Sequence, residues 1–320
     1  MSRLLTSAPP TGPLHFGHYR GAVLPFGQEM EGCDEAYFTV ADLHMLAPRA
    51  DRTVTAEIPH RCRTLVAECI ASGVDPLRGV FYRQSEVPEL SLIHTLLQNF
   101  ASVDELSVQA GFLRRATGPD NPASLGLLGW PVLESADIIG IGATRVTVGE
   151  GNAGHVALAR TLVDRLQKQW DVVLPRPVVV VSTLDLPGLD GGRKMSRSRG
   201  NTIPLRSGRA ELGTIVAHTK MWAKDGRCVP QVYLEALGRT EEGDRIADAL
   251  RQREMTPEQA QELLLTRLTE VIVPISERIK ELEKDPPSLD LLLDEGAERA
   301  RDLASNALRT LRRSLGFKRG

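Results

Sequence analysis

The first apolar run, "SRLLTSA", stops at Pro9, Pro10 and Gly12, which predicts a strand and a turn. "HFGHYRGAVLPFGQEM" then carries apolar positions at helical spacing, with Pro25 as an interruption. "DEAYFTVADLH" is aromatic and β-branched, hence a second strand. "TVTAEIPHRCRTLVAECIASGV" is helical and ends at Ser72-Gly73, a good stop. "RGVFYRQSE" predicts a third strand and "LSLIHTLLQNFASVDEL" a helix. "PVLESADIIGI", "ATRVTVGEG" and the helix "GHVALARTLVDRLQKQW" follow. "RPVVVVSTLDLPG" is a continuous apolar strand, the pattern expected where both faces are covered. Strands alternating with helices predict βαβ units and a doubly wound parallel sheet.

The pattern changes near residue 206. From there to the end the periodicity is helical, with almost no strand signal. Thr256 is a candidate N-cap, with Pro257 at the first helical position and acid in the first turn. The fold class is therefore α/β, a doubly wound parallel sheet followed by an all-helical domain. The expected boundaries are 1–205 and 206–320.

Composition adds limits rather than chemistry. The 320 residues are 42% hydrophobic and 25% charged, as in an ordinary globular protein. A net charge of −2 means that any nucleic-acid site must be a local basic patch. Cys33, Cys62, Cys69 and Cys228 form no CxxC pair, which suits buried thiols and a reducing cytoplasm. No run approaches the ~18 apolar residues of a membrane span. The N-terminus has no apolar core typical of a signal peptide.

Two stretches carry candidate chemistry. In "TGPLHFGHYRGA", Gly12 and Gly17 let backbone approach a ligand, and a helix start offers N–H groups to phosphate. His15 and His18 can hydrogen-bond phosphate oxygens without full charge. Alone, the pair reads equally well as two satisfied histidines at a helix start. "GGRKMSRSRGN" sets Lys194, Arg197 and Arg199 among small residues and the hydroxyls of Ser196 and Ser198. That composition suits a loop closing on a polyphosphate, or a solvated basic loop. No Walker-type G-x-x-x-x-G-K-[ST] is present.

"HFGH" and "KMSRS", in this order and in a βαβ setting, resemble the HIGH and KMSKS signatures of class I aminoacyl-tRNA synthetases. The resemblance narrows to the tryptophanyl-tRNA synthetase family. "PPTGPLHFGHYRGA", "GWPVLESADIIGIGATRVTVGEGNAGHVALAR", "LPGLDGGRKMSRSRGN" and the closing "ERIKELEKDP…LRTLRRSLGF" are each similar to that family, so nearly the whole chain is covered.

The resemblance implies a Rossmann-like catalytic domain at 1–205, binding ATP and amino acid and carrying a dimer interface. A helical anticodon-binding domain follows at 206–320, its last helix returning to the catalytic domain. It implies a cytoplasmic homodimer that activates tryptophan with ATP and passes it to tRNA(Trp), with Mg²⁺ arriving on the ATP. His15, His18, Lys194 and Arg197 are then the expected catalytic residues. ATP is expected on Pro9, Pro10, Thr11, Gly12, Gly17, His18, Gly149, Glu150, Gly151 and Leu186, and on Lys194, Met195, Ser196, Arg197 and Ser198 of the loop. Leu5, Glu134, Asp137, Val146, Val148 and Asn152 are expected around the amino acid. Asp137 would accept the indole N–H; the alternative for it is a helix-capping acid.

Five positions depart from the family pattern. Arg197 replaces lysine, keeping charge but as a planar fork. Pro9 replaces glutamine. Gly151 and Asn152 replace an acid and a glutamine. Glu134 replaces an apolar residue, one helical turn before Asp137. Two such acids repel, so one is protonated or paired with a cation, or else Glu134 points to solvent. The departures keep two alternatives open: an adenylating paralogue with another aromatic or indole-like substrate, and a non-catalytic tRNA-binding regulator. The terminal "RTLRRSLGFKRG" is either a phosphate-binding patch or a charged helix with an apolar stripe at Leu308, Leu311 and Leu315.

Overall fold

The computed structural model describes residues 1–47, 51–109, 124–149, 153–182, 186–192 and 194–317. β1 (Arg3–Ala8) leads into α1 (Phe16–His18), a π turn at Tyr19–Val23 and α2 (Leu24–Met30). Pro25 does not end this helix. It sits in the first turn of α2, where a missing N–H matters least, and the wider π turn before it makes room for its ring. β2 (Glu35–Val40), α3 (Arg52–Ala71) and β3 (Gly79–Arg83) follow.

The helix expected over "LSLIHTLLQNFASVDEL" divides into α4 (Pro88–Leu97) and α5 (Val103–Gln109). The cause is local. Ser102 and Glu105 bond each other's backbone N–H groups at 3.0 and 3.2 Å, a capping box that starts a new helix. Then come α6 (Leu125–Ile141), β4 (Arg145–Gly149), α7 (Ala153–Trp170) and β5 (Val178–Ser182).

The five strands are parallel, in the order β3-β2-β1-β4-β5. The chain winds outward from β1 to β3, then crosses to the other side for β4 and β5. Where the direction reverses, the C-terminal ends of β1 and β4 open a crevice, the usual ligand site of such sheets. Strand alternation sorts the core into two layers. Leu4, Phe38 and Phe81 face one layer, and Leu5, Tyr37, Tyr82 and Val146 the other. β5 corrects one expectation. It is an edge strand, and Val178 is 60% exposed, so the apolar run is not covered on both faces.

The rest is helical: α8 (Arg209–Val216), α9 (Val229–Ala236), α10 (Thr240–Gln252), α11 (Pro257–Leu282) and α12 (Pro286–Ser314). Thr256 caps α11 in a reciprocal box with Gln259. α12 runs back along the sheet at β3. Its Leu289 and Leu293 join one layer of the core, and its Ala297, Ala300 and Ala304 the other. Gly296 makes this passage possible, because a Cβ there would lie 1.8 Å from the Phe81 carbonyl oxygen. Arg83 fixes α12 further through Asp294, at 2.9 Å, and Asp290. Leu308 and Leu311 of α12 are buried, so the terminal stripe is core.

Candidate active site

At the sheet's reversal, the turn after β1 meets the loop before residue 205. The Arg197 guanidinium donates to Thr11 Oγ1 at 2.8 Å. Gly12, at φ +144°, leaves the space that Arg197 fills; a Cβ there would lie 2.3 Å from Arg197 Nη1. The exit of the loop is zipped to the first stretch. Phe16 N–H donates to Ile203 O at 2.8 Å, and Leu205 N–H to Leu14 O at 3.1 Å. Both stretches share one apolar anchor: Phe16 and Met195 are buried in the same core as Leu186, Leu189, Ile203 and Tyr233.

The two histidines stack, with ring centroids 3.6 Å apart. Gly17 makes room, since a Cβ there would sit 3.0 Å from the His15 ring. His15 Nδ1 accepts from Gly17 N–H at 3.1 Å, and His18 Nδ1 accepts from His15 N–H at 3.3 Å. Both Nδ1 atoms are therefore unprotonated, which leaves each neutral ring with its N–H on Nε2. Burial, then Arg197 and Lys194, pushes His15 down to about 4. Burial, His15 and the same two cations push His18 to about 3. One expectation changes here. The N–H groups of Phe16, Gly17 and His18 are all bonded within the protein, so the helix start does not offer them to phosphate. The donors that remain at this end are the ring Nε2–H groups and the cations of Lys194 and Arg197.

The loop's shape is set by Asn201, which sequence reading passed over. Its Oδ1 accepts from Ser196 N–H at 2.8 Å, and its Nδ2 donates to Asp190 Oδ1 at 2.9 Å. Glu68 of α3 was also missed. Fully buried, it accepts from Leu14 N–H at 2.8 Å and from Arg206 Nε at 2.6 Å. Arg206 continues to Glu283 at 2.6 Å. This chain fixes the residue immediately before His15 to both the sheet layer and the end of α11. No local pattern signals it, because its members come from four distant places in the chain.

The second cluster lies under α6. Asp137 is completely buried, and both its oxygens accept from the Gln84 amide at 2.8 Å. Gln84 Oε1 in turn takes His44 Nδ1 at 3.0 Å, and the His44 ring meets Trp130 edge-on at 4.8 Å. Asp137 lies inside α6, whose caps are Ser124 and Gly142, so it is not a capping acid. Burial pushes its pKa well up; the Gln84 hydrogen bond opposes this, and Glu134 and Asp42 add to it. Glu134 does not point to solvent. It is 8% exposed and accepts from His155 Nδ1 at 2.6 Å. Burial works against the His155 proton, but the Glu134 carboxylate outweighs it and raises the ring's pKa.

The family model for class I tRNA synthetases (W and Y) matches residues 1–271. The chain belongs to that family. It is 32% identical to the tryptophan--tRNA ligase of Treponema pallidum, over 99% of this chain and 97% of that one. It is 33% identical to that of Bordetella parapertussis, over 99% of this chain and 73% of the other. Among solved structures, the tryptophanyl-tRNA synthetase of Campylobacter jejuni complexed with ADP and tryptophane superposes with a TM-score of 0.83 at 23% identity. That match covers 98% of this chain and 99% of the other.

The structure thus brings Thr11, Gly12, His15, Gly17, His18, Met195, Ser196 and Arg197 of this synthetase together, with exposed Lys194 close enough to depress both histidines. Pro9 and Pro10 form the turn, Pro9 O accepting Thr11 N–H at 2.8 Å. Leu5, Val146 and Val148 share one wall with Ile138 of α6, and Leu5 pairs in register with Val146. Gly149 ends β4. Glu150, Gly151, Asn152 and the Ser198 side chain lie outside the described residues. His44 and Gln84 had no signal in the sequence. His155 had one, because it lies within the quoted stretch "GWPVLESADIIGIGATRVTVGEGNAGHVALAR".

Proposed function

We propose that this chain is a tryptophan--tRNA ligase: it joins the tryptophan carboxylate to the α-phosphate of ATP, releases pyrophosphate, and passes the acyl group to the 3′ end of tRNA(Trp). The observation that carries the reading is the bond from Arg197 to Thr11, which closes the cationic loop over the turn after β1. The full-length similarity to tryptophan--tRNA ligases supports it.

In this reading the protein contributes position and charge rather than covalent chemistry. His15 and His18, held neutral, donate Nε2–H to phosphate oxygens. Lys194 and Arg197 neutralise charge developing on the leaving pyrophosphate. Thr11, Gly12, Gly17, Leu186, Met195, Ser196 and Ser198 complete the nucleotide cradle with Pro9, Pro10, Gly149, Glu150 and Gly151. Mg²⁺ comes with the ATP; no cluster of metal-ligating side chains is present among the described residues. The amino acid lies against Leu5, Val146 and Val148, near Asp137, Glu134 and Asn152. Its indole N–H reaches Asp137 when the Gln84 amide gives up one carboxylate oxygen. Residues 206–320 bind the tRNA, and the enzyme works as a cytoplasmic homodimer. No helix among the described residues is long and apolar enough to cross a membrane.

The test is ATP–pyrophosphate exchange with a panel of amino acids, followed by tRNA charging. Stimulation by tryptophan alone supports the reading. The buried Glu134–His155 pair favours one second reading, a related adenylating enzyme with a polar-substituted indole substrate. Stimulation by such a compound and not by tryptophan would select it.

A further inference from the structure

Behind the loop lies a cleft that the adenylation chemistry does not use. Asp190, Gly192, Arg199, Lys220 and Lys224 line its roughly 420 Å³. Its two sides are joined by backbone bonds: Lys220 N–H donates to Leu189 O at 2.9 Å and Lys224 N–H to Gly191 O at 3.0 Å. Residues 220–224 alternate exposed and buried, with Met221 and Ala223 inside. Lys220, Trp222 and Lys224 therefore share the outer face. Trp222 is 39% exposed, and the Arg251 guanidinium stands 5.4 Å from its ring centroid. The acid of the cleft, Asp190, is committed internally, with Oδ1 accepting from Gly192 N–H and Asn201 Nδ2, both at 2.9 Å. The Asn201 hydrogen bond first, and the Arg199 charge among the smaller causes, hold the Asp190 carboxyl below its usual range, while Lys220 and Lys224 stand exposed on the other side of the cleft.

Cations around an open cleft, with an aromatic face beside them, are the equipment for a nucleic-acid strand: phosphate in the cleft, base on the ring. We propose that this cleft holds a backbone phosphate of the RNA substrate, with a neighbouring base stacked on Trp222. The inference rests on the ligase reading for the identity of the RNA. It goes beyond that reading in placing an RNA contact at the back of the catalytic loop. Arg199 lies on the same one-turn helix, Arg197–Arg199, as Arg197, which reaches Thr11. RNA in the cleft therefore steadies the loop from the side opposite the nucleotide.

The test compares tRNA binding with tRNA-independent exchange in the full-length protein. Lys220→Glu/Lys224→Glu should weaken tRNA binding about tenfold or more and lower the salt slope by about 2. Trp222→Ala should weaken it about fivefold or more with the slope unchanged. Exchange should stay at the wild-type level in both. Both lysines are exposed, and the charge-neutral Lys220→Gln/Lys224→Gln variant, checked by thermal melting, guards against a folding defect. Unchanged tRNA affinity and slope in the lysine variants would overturn the proposal. So would a fall in exchange with a raised pyrophosphate KM, which would make the anion pyrophosphate. A wild-type protein that binds tRNA but activates no tryptophan would refute the ligase reading, while the binding measurements would still decide the cleft.

Discussion

The two ends of the candidate site handle charge in opposite ways. At the end proposed for the nucleotide, the Nδ1 acceptors of His15 and His18 are used up by backbone N–H groups, which leaves their Nε2–H donors beside the cations of Lys194 and Arg197. At the amino-acid end two buried carboxyl groups are held by side chains alone: Gln84 on Asp137 and His155 on Glu134. Backbone-held groups keep their tautomer whatever binds. Side-chain-held groups exchange partners, which suits recognition of one N–H on an otherwise apolar ring. In the proposed function, the first end suits a charge that grows during reaction and the second suits selection between similar molecules.

Lys194→Ala strikes the first end alone. It should slow adenylate formation by about 10²–10³-fold with tryptophan binding nearly unchanged, read by exchange rates and equilibrium titration. Equal loss of both would show that the two ends are not separate. Glu68→Ala removes the anchor before His15 and leaves the Leu14 N–H and Arg206 without their acceptor. Stability should fall by about 3 kcal/mol by denaturant unfolding, with a raised ATP KM. An ATP KM equal to wild type would free the histidines from this anchor.

Asp137→Ala should raise the tryptophan KM about tenfold and relax discrimination against phenylalanine, leaving the ATP KM unaltered. Unchanged discrimination would move indole recognition elsewhere. Glu134→Gln removes the charge that raises the His155 pKa. The pH profile of the tryptophan KM should then shift toward lower pH, and an unmoved profile would take the pair out of the pocket.

The smallest effect belongs to the histidine pair at neutral pH, where both rings are already uncharged. Below the ordinary value of 6.5 the unfolded chain takes up protons that the folded rings refuse until about 4 and about 3. Stability should therefore decline as pH falls through that window. His15→Asn/His18→Asn should flatten the decline; equal slopes would mean that the rings titrate normally.

The chain's own pattern determined the sheet, its parallel winding, the helical half and the two stretches that meet at its centre. Those features rest on period-two and period-3.6 alternation and on local turn and capping chemistry, which neighbouring residues write together. Tertiary structure alone decided that β5 is an edge, that Glu134 turns inward to His155, and that Gln84, His44 and Glu68 complete the two ends. The last three bond to partners at least 40 residues away. The energy of a buried hydrogen bond belongs to the pair, and no local pattern of spacing records which distant residues will meet.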